Sequence, residues 1–158
     1  MEIDTQLFVT RLLIAAGLSA AIGLEREFHQ KPAGLRTNML IGMGSALFTV
    51  LSLTFVHGGQ GSVDRVAAQI ATGIGFLGAG AIMRDEHSIH GLTTAATVWV
   101  NAAIGMAVGA GMPTLATATT IVTLVVLAVL PPIEAFFERW ADRRGVIRHT
   151  AKDTSRQK

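Results

Sequence analysis

Residues 64–84 read DRVAAQIATGIGFLGAGAIMR: a charged pair opens the stretch, an arginine closes it, and the 18 residues from Val66 to Met83 carry no charge. A span of that length just crosses the hydrocarbon core of a bilayer, which takes roughly 20 apolar residues as a helix. Four glycines lie within it, Gly73, Gly75, Gly78 and Gly80, together with Gln69. A segment that faced only lipid has no need of so many small residues, so this one is expected to pack against protein.

Outward from this stretch the pattern repeats. Of the 158 residues, 50% are hydrophobic and 15% charged, against about 25% charged in a soluble domain. No Asp, Glu, Lys or Arg occurs from Thr37 to Val63, or in the 47 residues from His87 to Ile133. A spanning segment must satisfy its own backbone as a helix or in a closed barrel. Uninterrupted apolar runs without strict alternation select helices. The expected fold is an all-α integral membrane bundle of about five transmembrane helices, near Leu7–Leu24, Met39–Val56, Val66–Met83, Thr94–Ala110 and Thr114–Leu130. Glu2 and Asp4 make the amino terminus acidic, unlike a signal peptide, so the first span is expected to remain attached.

Lysine and arginine set the orientation. With the tail in the cytoplasm (Arg139, Arg143, Arg144, Arg148, Lys152, Arg156, Lys158), the residues Arg26, Lys31, Arg36 and Arg84 lie inside too, making 11 of the 13 basic residues cytoplasmic. Five spans then put the amino terminus outside. Arg65 falls outside, and Arg11, near the outer end of the first helix, is expected to snorkel to the surface. The absence of cysteine excludes disulfides, Cys-based zinc sites and thiol catalysis. No Ser-His-Asp arrangement or paired-carboxylate site emerges, so an enzyme is not expected. The basic tail is short and no binding module accompanies it, so no nucleic-acid role is expected either.

Residues 1–131 read as one membrane domain. Pro131-Pro132 is expected to interrupt the fifth helix, and over 132–144 the residues Ile133, Phe136, Phe137 and Trp140 recur at helical spacing. That fits a short amphipathic juxtamembrane helix at the inner surface, or else a kinked continuation of the fifth span. The polar, basic stretch 145–158 is expected to be a disordered cytoplasmic tail. A weak repeat links Gly23–Thr37 with Met83–Thr94: each has a base beside acids, a short loop, and Gly-Leu-x-Thr entering a helix. Either a parallel repeat of two hairpins or the reuse of Gly and Thr as breaker and cap accounts for it.

In the third helix Ala67, Ala71, Gly75 and Ala79 fall at steps of four; in the fourth, Thr93, Thr97, Asn101, Gly105 and Gly109 do the same. Such ladders let helix backbones approach closely. The two are expected to meet each other, or one to meet a second subunit, and a bulky residue at Gly75 should then disrupt folding or assembly. The Gly73-x-Gly75-x-x-Gly78 spacing is no dinucleotide site, because no strand precedes it.

Glu25, Arg26 and Glu27 close the first helix, Arg36 and Thr37 start the second, and Arg84, Asp85 and Glu86 close the third. Together they read as a salt-bridge network that fixes the loops, or as a Mg²⁺ site built on Glu25, Glu27, Asp85 and Glu86, since Mg²⁺ prefers carboxylate and water oxygens. Arginines so close oppose a strong metal cage. Asp64 is placed to cap the third helix, with Arg65 beside it. Gln69 and Asn101 can glue helices together or coordinate an ion.

GLERE (23–27), PAGLRTNML (32–40), the 64–84 stretch and HGLTTAATVWVNAAIGMAVGAG (90–111) resemble, in order, the motifs of the MgtC/SapB family of bacterial membrane proteins. The resemblance covers most of the chain from Arg11 to about Leu130. It implies a bacterial inner-membrane protein tied to growth at low Mg²⁺, and in some members to survival in macrophages or restraint of the F-type ATP synthase. Virulence-type members carry a further ACT-like domain, where this sequence has a short basic tail. Some also have Asn where Thr93, next to Thr94, stands here. Both features resemble the short SapB-like branch. The function implied is a partner-binding, non-enzymatic membrane protein without a resident cofactor, Mg²⁺ apart. The alternative is a small oligomeric cation channel or transporter.

Overall fold

The computed structural model describes residues 5–57, 63–84 and 88–143. Five helices form among the described residues: α1 (Thr5–Phe28), α2 (Leu35–His57), α3 (Val63–Gly80), α4 (Leu92–Gly109) and α5 (Pro113–Arg143). Four of them, α1, α2, α4 and α5, are long and apolar enough to cross a membrane. The exception is α3, whose 18 residues include Asp64, Arg65, Gln69 and four glycines.

The turns explain where the helices stop. Between α1 and α2 the chain reverses through Gln30 and Ala33, both at positive φ, and the Glu27 carboxylate accepts the Leu35 N–H at 3.0 Å to cap α2. Gly91 enters α4 with φ 87°, and a Cβ there would overlap the Ala81 carbonyl. Past α4, Gly111 (φ 82°) donates to the Val108 carbonyl and Met112 to that of Ala107. This is a Schellman cap, which needs the left-handed residue that glycine supplies most readily. Pro113 then occupies the first position of α5, where its missing N–H costs nothing.

The chain divides into two compact units, Met1–Leu124 and Val125–Lys158. In the first, α2 and α4 are central: α1 packs on α2 and α4, and α3 packs on α4 and α2. Close approaches of Gly23 to Leu35 and of Gly42 to Ser19 make α1 and α2 an antiparallel hairpin. Asn38 meets Asn101, Gly42 meets Gly105 and Ala46 meets Gly109, so α2 and α4 run parallel. Small and polar side chains (Ala15, Ser19, Asn38, Ala46, Asn101) are fully buried beside Ile22, Ile104 and Val108, whereas Leu13, Phe48, Phe76 and Trp99 are exposed. Small and polar residues at the helix contacts with large apolar ones outside are what a helix bundle adopts when lipid is its solvent. In the second unit Ile133, Phe136, Phe137 and Trp140 are exposed, and the two phenyl rings meet edge to face at 6.0 Å.

Several expectations change. The third helix ends at Gly80 rather than Met83, because Met83–Arg84 pairs antiparallel with Ile89–His90 in a two-stranded ribbon. Asp64 lies in the first turn of α3 instead of capping it, where its charge still favours the positive end of the helix dipole. No interruption falls at Pro131-Pro132: both lie inside α5. Proline removes hydrogen bonds there, but its fixed φ matches a helix. The stretch 145–158 lies outside the described residues.

Candidate functional site

Three ladders with a step of four meet at the centre of the first unit. They are Ala15, Ser19 and Gly23 on α1; Asn38, Gly42 and Ala46 on α2; and Thr97, Asn101, Gly105 and Gly109 on α4. All of these are buried. A methyl group at Gly42 would overlap the Ser19 hydroxyl, and one at Gly105 would overlap the Gly42 carbonyl. One at Gly109 would lie 2.6 Å from the Ala46 carbonyl oxygen. Glycine at these positions is therefore what lets α1, α2 and α4 come within backbone contact.

One turn below this crossing lies a buried amide pair. The Asn101 side-chain amide donates to the Asn38 backbone carbonyl at 2.8 Å and to Asn38 Oδ1 at 3.0 Å. Two acceptors facing one group require its NH₂ end there, which fixes the orientation of the Asn101 amide. Asn38 Nδ2 in turn donates to the carbonyls of Gly34, at 3.0 Å, and Ala33. Both side chains are fully buried. Of the two roles open to Asn101, the observed geometry is the gluing one. Asn101 Oδ1 and Ser19 Oγ have no hydrogen-bond partner among the described residues.

At the end near the α1–α2 turn, Arg26 is only 5% exposed. Its guanidinium stands 3.5 Å from Glu25, whose carboxylate also lies 3.1 Å from His29 Nδ1. Arg26 Nε has no partner among the described residues. Glu27 is committed to its cap on α2. Among the described residues no three His, Cys, Asp or Glu side chains gather as a metal-binding group; Asp85 and Glu86 lie outside them. Arg36, Thr37, Arg84 and Thr93 are exposed, while Thr94 is buried. At the opposite end, Arg11 does more than snorkel: it donates to the Gly109 carbonyl at 2.7 Å and so caps the negative end of α4.

Of the two partners expected for the α3 ladder, it does not meet the α4 ladder, which is packed against α2; a second subunit is the other. Added methyls at Gly73, Gly75 and Gly80 would meet nothing within 4 Å, and only Gly78 touches α4, at Ala95. Asp64, Arg65 and Gln69 are exposed. Thus α3 is a peripheral helix, and between it and α2 runs an apolar groove of about 770 Å³ lined by Thr37, Leu40, Phe48, Gln69, Gly73 and Leu77 among others. Sequence reasoning missed Ser19, Asn38 and Gly42. The signal was present, since they stand at the same step of four as the ladders it found.

The sequence profile of the MgtC family matches residues 12–136. The chain belongs to the MgtC family. It is 50% identical over 129 residues, 77% of this chain and 60% of the relative, to the Escherichia coli K12 protein named "Putative magnesium transporter YhiD". It is 45% identical over 133 residues to Protein MgtC of Brucella abortus (84% of this chain, 55% of the relative). With Protein MgtC of Salmonella typhimurium it shares 48% over 117 residues (74% of this chain, 49% of the relative). The chain thus matches about half to three-fifths of the length of these curated relatives. No solved structure matches it. Family membership and the four long apolar helices together make it a multi-pass membrane protein, and the MgtC-family match takes in most of α1, all of α2 to α4 and most of α5.

Proposed function

We propose that the protein is a non-enzymatic bacterial inner-membrane protein that adjusts magnesium-linked physiology by binding other membrane proteins, further copies of itself included. The observation that carries this reading is the use made of Asn101. The deepest amide of the fourth helix, the residue best suited to line an ion path, is fully buried and spent on joining α4 to α2. Gln69 lies elsewhere, on the exposed groove, so the two do not line a common path. The link to magnesium comes from the printed name of the Escherichia coli relative. The F-type ATP synthase, implied by family resemblance, is the first partner to test.

The amino terminus is proposed to lie outside and the carboxyl terminus in the cytoplasm. Antiparallel packing of α3 along α4, with Gly78 against Ala95 and Ile70 in one cluster with Val98 and Ala102, supports the fifth crossing this needs.

The competing reading is an oligomeric cation transporter, favoured by the orphaned Asn101 Oδ1 and Ser19 Oγ in the core and by the same relative's name. Liposomes holding only the folded protein separate the two. Under a Mg²⁺ gradient the partner-binding reading expects no flux above protein-free vesicles, and a saturable flux would overturn it. In membranes, crosslinking should recover a specific membrane-protein partner besides the protein itself.

A further inference from the structure

We propose that two copies of this chain pair through their α5 helices, parallel and side by side, along a seam that runs past the membrane through Ile133, Phe136 and Trp140. This deepens the reading that the protein binds further copies of itself, and rests on it.

The helix α5 is continuous over 31 residues, about 46 Å at 1.5 Å per residue. Only its first 21 residues, 113–133, are free of charge. At about 31 Å they already fill a hydrocarbon core of about 30 Å. The next ten, 134–143, hold five charges. Large apolar side chains nevertheless continue there, with Phe136 65% and Trp140 46% exposed. Trp140 comes about 10 Å along the axis after Ile133, beyond a headgroup layer of about 5–7 Å. Lipid would cover this face if the helix broke at Pro131-Pro132 and lay down on the membrane surface, but both prolines stand inside an unbroken helix. The cover is therefore protein.

Spacing then names the protein. Before Ile133 most faces of α5 are apolar and select no register. After it the apolar residues confine themselves to one face: Phe136, Phe137 and Trp140 follow Ile133 at helical spacing. Carried back, the same alternation of four and three passes through Val122, Val126, Val129, Ile133, Phe136 and Trp140, all exposed. These are the a and d positions of a coiled coil, with Val126, Ile133 and Trp140 at a. In that frame Glu134, Glu138 and Asp142 fall at b, f and c, and the two prolines at f and g, all off the a/d stripe. Arg139 flanks the stripe at g, and Arg143 at the next d position ends it. A second copy carries the matching stripe by construction. Copies inserted the same way present α5 in parallel, with a facing a and d facing d across a two-fold axis.

The chain has no cysteine, so single substitutions in the full chain report alone when isolated membranes are oxidised. Ile133→Cys, Phe136→Cys and Trp140→Cys should each give a disulfide-linked dimer, a bond that needs Cα atoms within about 7 Å. Glu134→Cys and Ala141→Cys, both at b, should stay monomeric. Adding Phe136→Asp to Ile133→Cys should abolish the dimer. Equal crosslinking at all five positions, or an unchanged dimer with Phe136→Asp, overturns the proposal. No crosslink at any of them, in membranes where two differently tagged copies still co-purify, overturns it and leaves the self-binding reading standing; loss of that co-purification as well removes both. A third result assigns the face to the bilayer instead: in a Trp99→Phe background, quenching of Trp140 fluorescence by brominated lipid.

Discussion

A methyl group added at Gly105 would stand 3.0 Å from both the carbonyl carbon and the Cα of Gly42, with the carbonyl oxygen nearer still. All three are backbone atoms, so no side chain can swing aside, and Gly105→Ala must push α4 away from α2 by roughly half an ångström or more to restore ordinary contact. A gap of about 0.5–1 Å forfeits a quarter to a half of each van der Waals well along the seam. Overpacking of this kind costs about 1–3 kcal/mol. The same displacement stretches the Asn101 bonds to Asn38, now 2.8 and 3.0 Å, and interhelical hydrogen bonds in membranes are worth about 0.6–1.7 kcal/mol. The sum is about 2–4 kcal/mol. Gly75→Ala is the matched control: it adds the same methyl in another helix where nothing lies within 4 Å. Both proteins would be purified in one detergent and their unfolding followed by far-ultraviolet circular dichroism against temperature. At roughly 2–4 °C per kcal/mol for a chain of this size, Gly105→Ala should lower the midpoint by about 5–15 °C and Gly75→Ala by less than about 2 °C. Equal midpoints for Gly105→Ala and wild type would refute the backbone contact between α2 and α4.

Asn38→Ala and Asn101→Ala should be non-additive, with a double-mutant coupling of about 0.6–1.7 kcal/mol in the same unfolding assay; strict additivity would mean the amides do not meet. Arg11→Ala removes the charge on the last turn of α4 and should cost about 0.3–1 kcal/mol, more than Arg11→Lys, which keeps a donor for the Gly109 carbonyl. Glu27→Ala should destabilise by about 1 kcal/mol through loss of the α2 cap and accelerate amide exchange at Leu35 by mass spectrometry, whereas Glu27→Gln, still an acceptor, should recover most of both. Gly75→Leu should leave folded protein at wild-type yield, since its side chain projects into open space; loss of the folded fraction would show that α3 packs more tightly than the fold described.

Much of this architecture was legible in the chain. Gaps in charge mark five apolar spans, each of which falls on a helix, and the steps of four on α4 mark Thr97, Asn101, Gly105 and Gly109 as a packing seam. Periodicity states which face of a helix is thin. It does not state which helix will cover that face. The α3 ladder, on the helix richest in glycine, points by periodicity alone to α4 or to a second subunit, and α4 is taken by the less conspicuous Asn38–Gly42–Ala46 row of α2. Asn38 went unremarked because an amide three residues into a helix reads locally as a polar helix start. Only the 63-residue jump to Asn101 makes it a core residue.

The sequence alone determined the class, the family motifs and the approximate spans, because a bilayer's demand for length, apolarity and internal hydrogen bonding is local and can be read one segment at a time. Tertiary structure decided the partners. It parted α3 from the seam, opened the groove beside α2, and buried Asn101 against Asn38. These outcomes depend on how five rods share a limited set of small residues, and close backbone approach can be granted to only some of the thin faces at once.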